Sequence, residues 1–244
     1  MTAGRSFNAN QAIVPFVKLL GVPPPDRVLD LACGPGIITA AIASVCPKVV
    51  AFDLTKEMLA AARHKCESEA LENVEFQSGN AERLPFESAS FGGAVTRLSI
   101  HHFENPAAAL SELRRVLTPG GILVLGDIVA SADPEAARLH NALEELRDPS
   151  HVRLLAETEL ITAIERAGFR VDSIEAWENR KTFTEWAAVV SEARSVEPLR
   201  EIMRALAREG VDAGIDLSSS EEEVSFTHHW RFVRASARFG DGAS

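Results

Sequence analysis

Along the first half of the chain, short apolar runs alternate with segments of helical periodicity. The runs "RVLDLA" (27–32), "KVVAFDL" (48–54), "VEFQSG" (74–79), "FGGAVTRLS" (91–99) and "ILVLGDIVA" (122–130) read as strands. Between them, "GIITAAIASV" reads as a helix opening on a glycine turn, and "TKEMLAAARHKCESEAL" as a helix with Thr55 at its N-cap. "AAALSELRRVL" is a helix opened by Asn105-Pro106, and "TPGG" is a turn. Residues 8–20 fit a further helix closed by Gly21. This cycle predicts an α/β chain with a doubly wound, mainly parallel sheet and helices on both faces.

The last third is less regular. "AETELITAIERAGFRVDSIEAWE" reads as a helix ending at Gly168 and then a strand, while "KTFTEWAAVVSEARS" and "PLREIMRALAREG" read as helices. Strict alternation places Val224, Phe226, His228, Trp230 and Phe232 on one face of a late strand, which a helical detour would bring back antiparallel. His228 and His229 then point to opposite faces, which argues against a shared metal site. No metal site is expected.

Composition narrows the picture. The chain has 244 residues, 46% apolar, and a formal charge of −10. One substantial core fits this length, so a single domain over 1–244 is expected. The acidic balance removes the electrostatic attraction that nucleic-acid binders rely on. No stretch has the length of an apolar membrane span or a signal h-region, so a cytoplasmic protein is expected. Cys33, Cys46 and Cys66 are odd in number and form no C-x-x-C pair, so neither a disulfide framework nor a thiolate zinc site is suggested.

The chemistry gathers at strand ends, where open α/β sheets bind ligands. Gly34 and Gly36 allow close backbone approach, and the following helix adds a positive N-terminal dipole. Asp53 ends the second strand, where a carboxylate can accept two ribose hydroxyls, and Asn80 follows the third, where an amide can read an adenine edge. Together they describe a nucleoside-containing cofactor. The third glycine of a dinucleotide fingerprint is replaced by Thr39. Asp30 beside the turn would oppose a pyrophosphate and favour a positive centre, which fits S-adenosylmethionine better.

These residues also carry a family resemblance. "VLDLACGPG" resembles the first motif of class I S-adenosylmethionine-dependent methyltransferases, and "VVAFDLTKEML" their acidic ribose motif. "GNAERLPFESASFGGAVTRLSIHHFENP" and "LRRVLTPGGILVLGD" are similar to the adenine loop, fourth strand and following turn of the UbiE-like, type 11 branch. The resemblance covers about residues 5–130. It implies a Rossmann-like seven-stranded sheet ordered 3-2-1-4-5-7-6 with the last strand antiparallel, and a cofactor core over about 22–130. Residues 1–21 and the helical segments over about 131–215 would roof the substrate.

By position, the resemblance implies cofactor contacts from Asp30, Ala32, Gly34 and Gly36 in the first motif and from Asp53, Leu54 and Met58 in the second. Asn80 and Ala81 would meet the adenine, Asn80 standing where an aspartate is common, and Arg97 and Leu98 would flank the sulfonium. The activity implied is methyl transfer to a small-molecule acceptor at carbon, oxygen or nitrogen. "TRLSIHH" at the end of the fourth strand has neither the Asn/Asp-Pro-Pro-aromatic turn of base- and glutamine-modifying enzymes nor a carboxylate for Mg²⁺. His101 and His102 are the candidate bases, since histidine titrates near neutrality. Asp127 reads equally as a substrate contact or a solvated loop acid. Trp177, Phe183 and Trp186 suit core packing better than a substrate wall, and Phe7 is a candidate lid residue. A homodimer is compatible. The competing readings are an NAD-dependent oxidoreductase and a catalytically silent binder of the same cofactor.

Overall fold

Strand and helix alternate through the first 130 residues of the computed structural model, which describes residues 13–188 and 196–239. Phe7 and the first part of the expected N-terminal helix lie outside the described residues. The elements are α1 (Val14–Leu20), β1 (Arg27–Leu31), α2 (Ile37–Ala43), β2 (Lys48–Asp53), α3 (Lys56–Ser68), β3 (Val74–Ser78) and β4 (Phe91–Arg97). A 3₁₀ turn (Ile100–His102) leads to α4 (Pro106–Val116) and β5 (Leu117–Ile128). Then follow α5 (Pro134–Arg147), α6 (Glu157–Arg166), β6 (Phe169–Thr182), α7 (Phe183–Ala187), α8 (Val196–Arg208), β7 (Ser218–Ser219) and β8 (Val224–Ala237).

The sheet is ordered β3-β2-β1-β4-β5-β8-β6. Strands β3, β2, β1, β4 and β5 are parallel, and β8 runs antiparallel between β5 and β6. With β8 in seventh place this is the expected order, and the two-residue β7 adds a short pairing on β8. The sheet is wound outward in both directions from β1 and β4, so the crevice beyond their carboxyl ends is the switch point where ligands settle.

Register decides which side chains share a face. Asp30 is level with Val95 on β4 and Ala51 on β2, and Arg97 follows Val95 on that face. Across the sheet, Arg97 is level with Gly126, Gly126 with Phe232, and Ile128 with Trp230. This face is covered by α1 and α2 over Val28, Val95, Val124 and Phe232. Further along it, Phe226 and Val224 pack with Leu143 of α5, Phe183 and Trp186 of α7, and Leu199 and Met203 of α8. Phe183 and Trp186 are therefore core residues, as their spacing suggests. The opposite face buries Leu29, Leu31, Phe52, Leu123 and Leu125 under α4 and α6, each such side chain contributing about 1.5–3 kcal/mol relative to exposure.

Three local features differ from the pattern reading. "TPGG" is enclosed in β5, where Leu117 pairs with Phe91 and the ladder resumes at Ile122 opposite Gly93. The turn survives as an irregularity inside the strand, with Gly120 at φ +75°. Thr55 stands at the N-cap of α3 without capping it, because its hydroxyl donates to Asp53 Oδ1 at 3.0 Å. Helix α5 is not among the elements the pattern names, although Asp133 caps it by accepting from the Ala136 N–H and Pro134 opens it.

Candidate cofactor and acceptor site

At the carboxyl ends of β1, β2 and β4 lies a cavity of about 610 Å³. Of the residues expected to contact a cofactor, Ala32, Gly34, Asp53, Leu54, Met58, Asn80, Ala81 and Leu98 line it, and so does His102. Asp30, Gly36, Arg97 and His101 lie outside its wall. Thr55, Gly79, Ser99 and Phe103, neighbours of those residues within the same motifs, and Ser150 complete much of the lining.

The turn after β1 is shaped by backbone constraints. Gly36 has φ +81°, and a Cβ there would sit 2.7 Å from the Ala62 backbone, so only glycine lets α2 and α3 close together. Gly34 donates its N–H to Asp53 Oδ2 at 2.8 Å, while Asp53 Oδ1 accepts from the Thr55 N–H at 3.0 Å. Asp53 thus joins the first and second strand ends, and with the Thr55 hydroxyl also on Oδ1 its Oδ2 keeps one lone pair open to a ribose hydroxyl. Two cavity residues, Ala32 (φ 53°) and Leu98 (φ 50°), hold the left-handed conformation that costs a side-chain-bearing residue about 1–2 kcal/mol. Strain of this kind gathers at ligand sites. Leu54 is 70% and Met58 43% exposed in the cavity wall, an apolar surface fit for a flat ring. Asn80 Oδ1 accepts from the Glu82 N–H at 2.8 Å, and its amide NH₂ pairs with no described residue. Carboxylate, amide, apolar wall and close backbone together suit an adenosine.

Asp30 behaves differently from its expected role. It is buried behind the turn and accepts from Thr39 Oγ1 at 2.6 Å, tying β1 to α2. Burial pushes its pKa up to about 7, with the Asp53 charge adding to the rise and Thr39 opposing it. Near neutrality it is only partly ionised, and it supports the turn from behind.

Past β4, the 3₁₀ turn places two histidines in unlike surroundings. His101 Nδ1 meets Asp127 Oδ1 at 2.6 Å. Asp127 is buried and also accepts from the Ile100 N–H at 3.0 Å and the Ile128 N–H at 2.8 Å. It is neither a substrate contact nor a solvated acid, but the group that orients His101. Burial alone would lower the His101 pKa; the Asp127 charge and hydrogen bond hold it above the usual histidine value. Among the described residues nothing pairs with His101 Nε2. His102 donates from Nδ1 to the Ser150 carbonyl at 2.9 Å, and burial followed by the His101 charge lowers its pKa. His151 stands 5.6 Å from the His101 ring, donating through Nε2 to Asn141 Oδ1, and burial and then the His101 charge push it down to about 4.

Behind these, Glu144 of α5 is fully enclosed. Its carboxylate accepts from Arg147 Nη2 at 2.8 Å, Trp186 Nε1 at 3.2 Å and His228 Nε2 at 3.1 Å. His140, Glu144 and His228 have ligand atoms within 4.8 Å of one another, the spacing of a metal site. The Arg147 and Trp186 donors already occupy the carboxylate, so the trio reads as a clasp joining α5, α7 and β8. Burial would raise the Glu144 pKa, but the neighbouring imidazoles and Arg147 hold it well below the usual carboxylate range. His229 faces elsewhere, 3.7 Å from Asp216 and 3.9 Å from Glu178.

The methyltransferase domain family matches residues 29–125, the strands and turns that build this cavity. YafE of Escherichia coli is 35% identical over 64% of the chain and 74% of its own length. The chain belongs to the class I methyltransferases. A demethylmenaquinone methyltransferase of Clavibacter sepedonicus is 32% identical over 66% of the chain and 63% of its own length. The solved structure of YcgJ from Bacillus subtilis superposes with a TM-score of 0.87 at 26% identity, covering 95% of this chain and all of that one. In this methyltransferase, as described, no helix among the described residues is long and apolar enough to cross a membrane. The motifs name much of the cavity lining. They do not name Asp127 as the His101 partner, or the α5 clasp, because those contacts join residues 26 and 84 positions apart.

Proposed function

We propose that this methyltransferase binds S-adenosylmethionine in the cavity beyond β1 and β2 and methylates a small-molecule acceptor by direct in-line transfer. The observation that carries this reading is the Gly34–Asp53–Asn80 wall, in which one carboxylate links two strand ends while an apolar surface and a free amide stand beside it.

S-adenosylmethionine supplies an electrophilic methyl group that already carries its leaving group, so the protein's task is alignment, water exclusion and, where the acceptor needs it, proton removal. Asp53 takes the ribose hydroxyls, Asn80 and Ala81 meet the adenine, and Leu54 and Met58 cover the ring. Backbone at Ala32, Gly34 and Leu98 approaches the amino-acid tail and sulfonium. His101 is the base, because Asp127 fixes its Nδ1–H and leaves Nε2 to accept a proton. His102, in the cavity wall, packs beside it at a ring distance of 4.3 Å. A formal charge of −10 supports an acceptor that is not a nucleic acid.

The test is calorimetric binding of S-adenosylhomocysteine, followed by a screen of acceptors with labelled methyl donor. Binding with label transfer to a small molecule supports the reading; absence of binding refutes it, and binding with no transfer to any acceptor favours a silent binder.

A further inference from the structure

Buried polar atoms without partners gather on one part of the sheet. Of the eight such atoms among the described residues, five belong to Arg97, His140, Asn179 and Trp230. The other three are Nε atoms of Arg27, Arg200 and Arg204, whose side chains each reach a carboxylate. Arg97 reaches none. Its guanidinium makes no hydrogen bond to any described residue and lies over the Trp230 ring, 5.4 Å from the centroid.

Arg97, Trp230 and Asn179 share one face of the sheet, and His140 of α5 stands over it. Trp230 is level with Trp177, and His228 with Asn179, in the β8–β6 ladder. His140 stands over His228 with ring centroids 6.1 Å apart. Trp230, Asn179 and His140 are each at most 3% exposed. The floor is aromatic, with Trp177 5.7 Å from Trp230 and Trp230 stacked on Phe232. Lys181, farther along β6 on the same face, feels the Arg97 charge.

The chemistry of these donors selects a ligand. The Trp indole N–H and the guanidinium can only donate, so both call for acceptor oxygens. The two carboxylates whose charges reach Arg97 are engaged elsewhere: Asp127 with His101 and two backbone N–H groups, Asp30 with Thr39. A guanidinium beside a sulfonium would meet like charge, so its side chain serves something other than the transferring centre.

We propose that the methyl acceptor is a small anion with a flat apolar body, whose carboxylate or phosphate oxygens are bound by Arg97 and Trp230 Nε1 while the body lies against the half-buried Trp177 ring. This rests on the methyltransferase reading. It departs from a neutral quinol acceptor.

The experiment measures probe binding to the full chain saturated with S-adenosylhomocysteine, comparing benzoate with benzamide, phenyl phosphate with phenol, and a neutral naphthohydroquinone. The anions bind about tenfold or more tighter than their neutral counterparts, in keeping with a charge-assisted contact. Benzoate and phenyl phosphate tell a carboxylate site from a phosphate site. In Arg97→Met the preference disappears while S-adenosylhomocysteine affinity stays within about threefold; in Trp230→Phe, which keeps the ring, it falls severalfold. Cofactor binding by each variant doubles as the check on folding. Equal binding of anion and neutral probe, no anion binding at millimolar concentration, or preference for the quinol overturns the proposal and leaves the cofactor reading intact. A parallel loss of S-adenosylhomocysteine affinity in Arg97→Met also overturns it, since the guanidinium would then hold the cofactor's carboxylate. Failure of the wild-type chain to bind S-adenosylhomocysteine at all would instead be failure of the methyltransferase reading.

Discussion

The wall of the cavity is made mostly of backbone, and the buried polar cluster on the sheet face mostly of side chains. At the first, left-handed Ala32, Gly34, Gly36 and Leu98 bend the chain at strand ends, and Asp53 ties two of those ends together. At the second, Arg97, His140, Glu144, Asn179, His228 and Trp230 come from four elements and meet on a sheet face. The first can be carried by a few short motifs, each local in sequence. The second has no local signature, and its side chains can change without touching the turn.

The contrast breaks most sharply at Glu144. In Glu144→Ala, Arg147 and His228 lose their shared carboxylate in a buried setting, and stability in urea falls by about 3–5 kcal/mol, while S-adenosylhomocysteine binding by the folded fraction persists. Because the Glu144 pKa lies well below its unfolded value, its contribution is present above the unfolded pKa and is lost as pH falls. An acid melt of wild type should therefore be steeper than that of the variant.

Asp53→Ala tests the other half. S-adenosylhomocysteine affinity falls roughly a hundredfold, about 2–3 kcal/mol, as charged hydrogen bonds are removed, with calorimetry as the readout. Unchanged affinity would remove Asp53 from the binding site. Next comes Asp127→Asn, which leaves His101 in place but unsupported: kcat falls about tenfold to a hundredfold with little change in cofactor affinity. Its pH profile separates orientation from packing. His101 is a base only when deprotonated, and Asp127 raises its pKa, so the wild-type rate climbs with pH above the usual histidine value. The variant's climb moves to lower pH.

The smallest effect is at Asp30. Its folded pKa of about 7 lies above the unfolded carboxylate value, so the folded state holds the proton more tightly and stability declines as pH rises from about 4 through 7. Asp30→Asn removes that decline, raising stability at pH 8 by about 1–2 kcal/mol and giving no gain at pH 4. A thermal-melt series across pH reads it directly.

Much of the fold was legible in the chain. Strand and helix periods, the "VLDLACGPG" turn and Asp53 at a strand end point to the strand ends where the cavity lies. Asp30 was legible as unusual, but its role was not: only burial and the Thr39 bond reveal a support behind the turn. Asp127 read equally as a contact or a loop acid because nothing near it in sequence tells that His101 lies 2.6 Å away. His228 could be assigned to a strand face, yet its partner on α5 lies 84 residues earlier.

The sequence by itself determined the order of elements, the glycine turn and the residues at the strand ends that line the cavity, since these depend on the local conformational freedom of glycine and on side-chain period. Tertiary structure alone decided which titratable groups share a proton, which cation is left without a carboxylate, and what lies over Trp230. Those outcomes depend on distance and burial across the sheet, where a carboxylate a few ångströms nearer or farther changes whether a histidine is protonated and whether an arginine is paired.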